Sequence, residues 1–202
     1  MNNTELNEMP MLRSEVLDVK VGDGKKFGDV TDETLSRDFI EWKTLSNGGI
    51  SVKLYRKSIG GKPGRNVYGV MPVKRGKKST NTLVFLLQFY NAPQIEGIER
   101  FKKPLQVMLV ETSDAMQSFG IASQVYAALC QEGYTVISDN EQYLGGKKLW
   151  ERIIKDATAN GLKVSVYNEV DQEEEPYDPL KASVYWQEDY DGKDWLLVLK
   201  KK

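Results

Sequence analysis

Leu105-Gln106-Val107-Met108-Leu109-Val110-Glu111-Thr112-Ser113-Asp114-Ala115-Met116-Gln117-Ser118-Phe119-Gly120-Ile121-Ala122 is the stretch whose reading decides the fold. Leu105 to Val110 is a continuous apolar run, short enough for a strand buried on both faces and therefore placed in the middle of a sheet. After a polar loop, Ile121, Val125, Ala128 and Leu129 recur at helical spacing, and Gly133 stands where a left-handed C-terminal cap is expected. A helix over about Gly120 to Glu132 follows.

Upstream, the chain reads as strands. ISVKLYRKSI (50–59) alternates, Gly60 to Gly64 makes a turn, NVYGVMPVKR follows, Gly76 to Thr80 turns again, and TLVFLLQFY is strongly apolar. Three strands joined by short turns predict an antiparallel meander. Asn91 to Pro104 is a loop with a short helix over Ile95 to Arg100. The first 45 or so residues are polar, with a strand-like patch at Glu15 to Val21 and a helix predicted over Asp32 to Leu45, capped by Thr31 or Asp32.

Downstream, TVISD (135–139) is a short strand, and Ser138-Asp139-Asn140-Glu141 has the form of a capping box. Leu149, Trp150, Ile153, Ile154 and Ala157 stripe the helix it would open, and Gly161 ends it. KVSVYN supplies a strand, and Asp171 to Glu175 with Pro176 and Pro179 reads as a solvated acidic loop. The end reads as a hairpin, ASVYW and DWLLVLK around Asp191-Gly192. The sum is an α/β fold: a mixed, mostly antiparallel central sheet flanked by helices, with residues 1–48 as an N-terminal extension and 49–202 as the main domain, one compact unit in all.

Composition removes whole classes of chemistry. The 202 residues contain no histidine, which excludes Ser-His-Asp and Cys-His mechanisms and most transition-metal sites, so no metal is expected. The one cysteine, Cys130, lies in the apolar VYAALC and reads as a buried thiol. Lys and Arg number 28 against 29 Asp and Glu, so no net field draws the chain to nucleic acid or to an anionic membrane, and neither is an expected partner. No apolar run reaches the roughly 20 residues of a membrane span, and MNNTELNEMP lacks the features of a signal peptide, so a cytoplasmic protein is expected.

Gln117-Ser118-Phe119-Gly120-Ile121-Ala122 has the form Q-x-x-G-x-A between a buried strand and the first turn of a helix. A pyrophosphate needs converging backbone N–H groups, small residues let the backbone come close, and a helix N-terminus adds about half an elementary positive charge. This segment resembles the pyrophosphate motif of the GNAT superfamily of acetyl-coenzyme A-dependent N-acetyltransferases, and the order of elements from about Gly49 to Asn168 is similar to that family's. The resemblance implies a GNAT-like sheet, acetyl-CoA as cosubstrate gripped by the backbone of Ser118 to Ala122, and backbone groups near Val110 and Glu111 that position the thioester and polarise its carbonyl. It implies transfer of an acetyl group to a primary amine, on a small molecule or a protein, by direct attack.

Without histidine, the base for the amine is a carboxylate: Glu111 first, with Asp114 behind it. The family's later helix usually carries a tyrosine that reprotonates the thiolate, and Trp150 stands at that position here, where an indole has no acid function near neutrality. Either Trp150 is a core residue of a noncatalytic relative that keeps the fold for binding, or Tyr143, Ser138 or water supplies the proton. SDNEQYLGGKKLWERI is also similar to segments of small phage-encoded acetyltransferase-like proteins. Two basic turns, KSIGGKPGR and VKRGKKSTN, read as solvated hairpin tips, the second within reach of a phosphate such as the 3'-phosphate of coenzyme A.

Overall fold

The computed structural model describes residues 28–47, 49–75, 78–91, 94–139, 144–186 and 195–202. They form a mixed α/β structure around one large, mostly antiparallel sheet. Its strands are β1 (Asp29–Val30), β2 (Phe39–Asn47), β3 (Ile50–Ile59), β4 (Lys62–Arg75), β5 (Lys78–Phe89), β6 (Pro104–Thr112), β7 (Thr135–Ile137), β8 (Leu162–Asn168), β9 (Glu173–Pro176) and β10 (Trp195–Lys201). The order across the sheet is β2-β3-β4-β5-β6-β7-β10-β8-β9, and every pairing is antiparallel except β6 with β7. The short β1 takes the edge of β5 at Asn81 and Thr82, beyond the point where β6 stops pairing at Phe85.

The helices are α1 (Asp32–Asp38), α2 (Ile121–Gln131), α3 (Leu144–Ala157) and the single turn α4 (Ala182–Tyr185). Successive strand side chains point to opposite faces, so one sheet builds two cores. On one face α2 and α3 pack over Leu54, Val67, Leu87, Val107 and Val166. On the other, Leu35 of α1 covers Tyr55, Tyr68, Val70 and Leu86, while Ile95, Ile98 and Phe101 of the loop before β6 cover Ile137, Leu196 and Val198.

Three expectations are corrected. The helix predicted over Asp32 to Leu45 stops at Asp38: Thr31 caps it by accepting the Thr34 N–H at 3.1 Å, and Phe39 to Asn47 instead form β2, paired along β3. The register shifts between Glu41 and Lys43, a bulge at Trp42, and the three-residue spacing of Phe39, Trp42 and Leu45 imitates a helical stripe. Glu173 to Pro176, expected as a solvated loop, are edge strand β9 on β8, with Glu174 bonded by Lys200 at 2.6 Å. Consecutive charges suit an edge strand, where they oppose pairing with another chain. The first arm of the final hairpin is not a strand, because Asp178 accepts the Leu180 N–H at 2.9 Å and opens a 3-10 turn and α4; the second arm is β10, paired with β7 and β8, and the turn around Asp191-Gly192 lies outside the described residues. The Glu15 to Val21 patch lies outside the described residues.

Candidate functional site

β6 organises the site. On one side it pairs with β5 from Val107 to Thr112, with a register shift between Gln88 and Phe89 that leaves Met108 as the extra residue of a bulge. On the other it pairs with β7 only at Pro104, Leu105 and Gln106. Beyond that β6 has no partner in β7, because β7 ends at Ile137 while β6 continues to Thr112. Exposure rises along the strand: Leu105 to Val107 are buried, and Met108 to Thr112 are all half-buried.

Ser138 follows the end of β7. Its N–H donates to the Leu197 carbonyl at 2.8 Å and its hydroxyl oxygen accepts the Leu197 N–H at 3.0 Å. The end of β7 is thereby clamped to β10. Ser138 is 1% exposed, so this candidate proton donor sits inside the core as a backbone clamp and does not open the next helix as a cap.

From Thr112 the chain enters a 3-10 helix, Asp114–Phe119, anchored by buried Met116. Gly120 then adopts φ 64°, ψ 33°, the left-handed region that glycine reaches without steric cost, and α2 begins at Ile121. The first-turn side chains that could cap N–H groups bind carbonyls instead: Ser123 Oγ donates to Gly120 O at 2.9 Å and Gln124 Nε2 to Phe119 O at 3.1 Å. The N–H groups of an α-helix's first turn have no partner within the helix. A 3-10 helix bonds its own amides three residues back, so the donors suited to an anion are those of the α2 first turn rather than those of Ser118 and Phe119.

Of the motif side chains, Ile121 and Ala122 are buried, Phe119 packs against the core, and Ser118 is exposed. Exposed Gln117 donates to Asp114 Oδ1 at 3.0 Å, so this pair holds the turn together. Val110 packs on the α2 face, while Glu111 stands opposite Leu86 on the other face of the sheet, so the two are not brought together, although both lie in the part of β6 beyond the end of β7. Tyr143 lies outside the described residues.

Sequence reasoning missed Arg152. A Cβ on Gly120 would lie 2.7 to 2.9 Å from the guanidinium atoms of Arg152, so that group is seated directly against the turn at the start of α2. Its Nε is 4.0 Å from Asp156 Oδ2, the outer limit of an ion pair. Only the i, i+2 offset from inward-facing Trp150 could have placed Arg152 away from the core, and that offset does not foretell a seat on Gly120. Trp150 is 2% exposed and meets Tyr126 of α2 edge to face, with centroids 5.7 Å apart. Cys130 is fully buried, its Sγ donating to Leu199 O at 3.3 Å, and burial pushes the thiol up to about 12. Among the described residues no group of three or more Asp, Glu, His or Cys is arranged to hold a metal ion, and no helix is long and apolar enough to cross a membrane.

The site thus belongs to a mixed α/β protein with a glycine turn, in sequence, between two paired parallel strands. No protein-family model, curated protein or solved structure matches the chain.

Proposed function

We propose that the chain is an acetyl-coenzyme A-dependent N-acyltransferase that moves an acetyl group to a primary amine. The observation that carries this reading is that β6 runs on past the end of β7, from Val107 to Thr112, and leads through the 3-10 helix Asp114–Phe119 into the glycine turn at the start of α2. The length of β6 beyond β7 gives an extended ligand a strand to lie along, with an anion seat at the start of the helix that follows. The seat fits a pyrophosphate by three features: the first-turn amides of α2, the bare Cα of Gly120, and the Arg152 guanidinium against it.

Coenzyme A supplies the chemistry as an activated thioester. The chain's part is to hold and orient. Backbone groups between Met108 and Glu111, beyond the end of β7, are those that would bond the pantetheine and polarise the acetyl carbonyl. Glu111 is the carboxylate within this stretch and takes the amine's proton directly or through water.

One observation favours a second reading, a noncatalytic binding protein of the same build. Trp150 is buried in packing and Ser138 is consumed as a clamp, so neither returns a proton to a leaving thiolate.

Isothermal titration with acetyl-coenzyme A, on the wild type and on Arg152→Glu, tests the site. Saturable binding that Arg152→Glu weakens about tenfold or more supports it, and no heat from folded wild type overturns it. Thiol release with a panel of amines then separates the readings: turnover supports the enzyme, and tight binding without turnover supports the binding protein.

A further inference from the structure

A second feature lies at the opposite end of the sheet, where β6 and β7 begin. An open groove of about 480 Å³ runs beside Thr135, the first residue of β7, and the last residues of β10. Five cations line it: Arg100, Lys102, Lys200, Lys201 and Lys202. The one carboxylate in the lining, Glu174, is already engaged, accepting from Lys200 Nζ at 2.6 and 2.8 Å and from Ser165. Glu132, next in sequence to the lining residue Gly133, is turned to Arg56 Nη2 at 3.2 Å and to the Trp42 indole.

Lys200 stands directly opposite Lys163 in the β8–β10 register, and the Glu174 carboxylate, which both lysines help to keep ionised, offsets that pair, leaving Arg100, Lys102, Lys201 and Lys202 as the remaining cations of the lining. Lys103 adds a further cation on the rim, its Nζ 5.3 Å from the ring centroid of Tyr134. A chain whose overall charge is −1 therefore concentrates positive charge at one concave place.

We propose that this groove holds the phosphodiester backbone of single-stranded nucleic acid, independently of sequence. Four of the five lining cations are lysines, point charges that suit phosphate oxygens strung along a flexible strand, whereas carboxylate recognition favours the planar fork of arginine. A cavity of this size admits a few phosphodiester units of a flexible strand but not the stiff cylinder of a duplex. This binding is separate from the coenzyme A slot, since it uses the other end of β6.

The test is fluorescence anisotropy of a labelled oligothymidylate of about twelve nucleotides. Three contacted phosphates give a log–log salt slope near −2, so binding should weaken about twentyfold between about 50 and 200 mM salt. Lys102→Glu with Lys201→Glu, both exposed, should abolish binding while leaving the circular dichroism melting curve in place, and Lys148→Glu on the outer face of α3 should bind like the wild type. Preference for duplex over single strand, stronger competition by polyglutamate than by oligothymidylate, equal loss in Lys148→Glu, or no binding at low salt would each overturn the proposal.

Discussion

Gly120→Ala and Gly161→Ala form a matched pair that separates backbone strain from ligand seating. Both glycines are left-handed, with φ 64° and 66°, so alanine at either costs about 1–2 kcal/mol. For a chain of this size that lowers the melting temperature by roughly 2–8 °C. Their surroundings differ. At Gly161 a Cβ meets nothing within 4 Å, whereas at Gly120 it meets Arg152 Nη2, Cζ and Nη1 at 2.7, 2.8 and 2.9 Å. Arg152 is half exposed and able to swing out, so the clash adds little to the stability cost but removes the guanidinium from the start of α2. Losing one hydrogen bond to a charged group, about 1.5–3 kcal/mol, weakens acetyl-coenzyme A binding by about ten- to a hundredfold. Calorimetric melting and titration of both variants check this. Similar melting losses with affinity lost only in Gly120→Ala are expected; unchanged affinity in Gly120→Ala refutes the seat.

Trp150→Ala should cost about 3–5 kcal/mol, a fall in melting temperature of roughly 6–20 °C, since the indole is buried between α2 and the sheet; a melting curve unchanged from wild type would remove Trp150 from the core. Burial works against charging Glu174, but the bonds from Lys200 and Ser165 outweigh it and hold its carboxyl below the usual value of 4.5. That contribution is present above pH 4.5 and lost as pH falls through the lowered value. Urea midpoints of wild type and Glu174→Gln should therefore differ at pH 6 and converge in stronger acid, and a constant gap would contradict the pairing. Cys130, buried with its thiol raised to about 12, should react with a disulfide reagent at neutral pH only as fast as the chain opens, and at once in denaturant; prompt labelling of the native protein would show that the thiol is not enclosed.

The centre of the fold was legible because its signals are local. β6, α2 and the glycine between them carry apolar periodicity and a left-handed requirement that neighbours do not override, and β3 matched its predicted span, 50–59. The misreadings arose where tertiary pairing decides. Phe39, Trp42 and Leu45 are three apart in both a helix stripe and a bulged strand, and only β3 selects the strand. Glu173 to Glu175 have poor strand propensity, yet Lys200, Ser165, Lys181 and Tyr185 hold them on β8. Ala182 to Tyr185 look extended until Asp178 and Pro179 start a turn ahead of them. In the site, Ser138 could not be distinguished from a cap or a donor by its letters, because its clamp partner Leu197 lies far along the chain. Arg152 was invisible for the same reason: its seat on Gly120 is made by the packing of α3 on α2.

The most direct test of the coenzyme A slot is amide chemical-shift mapping of the labelled protein on addition of acetyl-coenzyme A. The largest shifts are expected at Gly120 to Ser123 and at Met108 to Glu111, where β6 runs past the end of β7. Shifts confined to Gly133 to Thr135 and Lys200 to Lys202 would place the ligand in the basic groove instead, and those or no shifts at all would contradict the acyltransferase site.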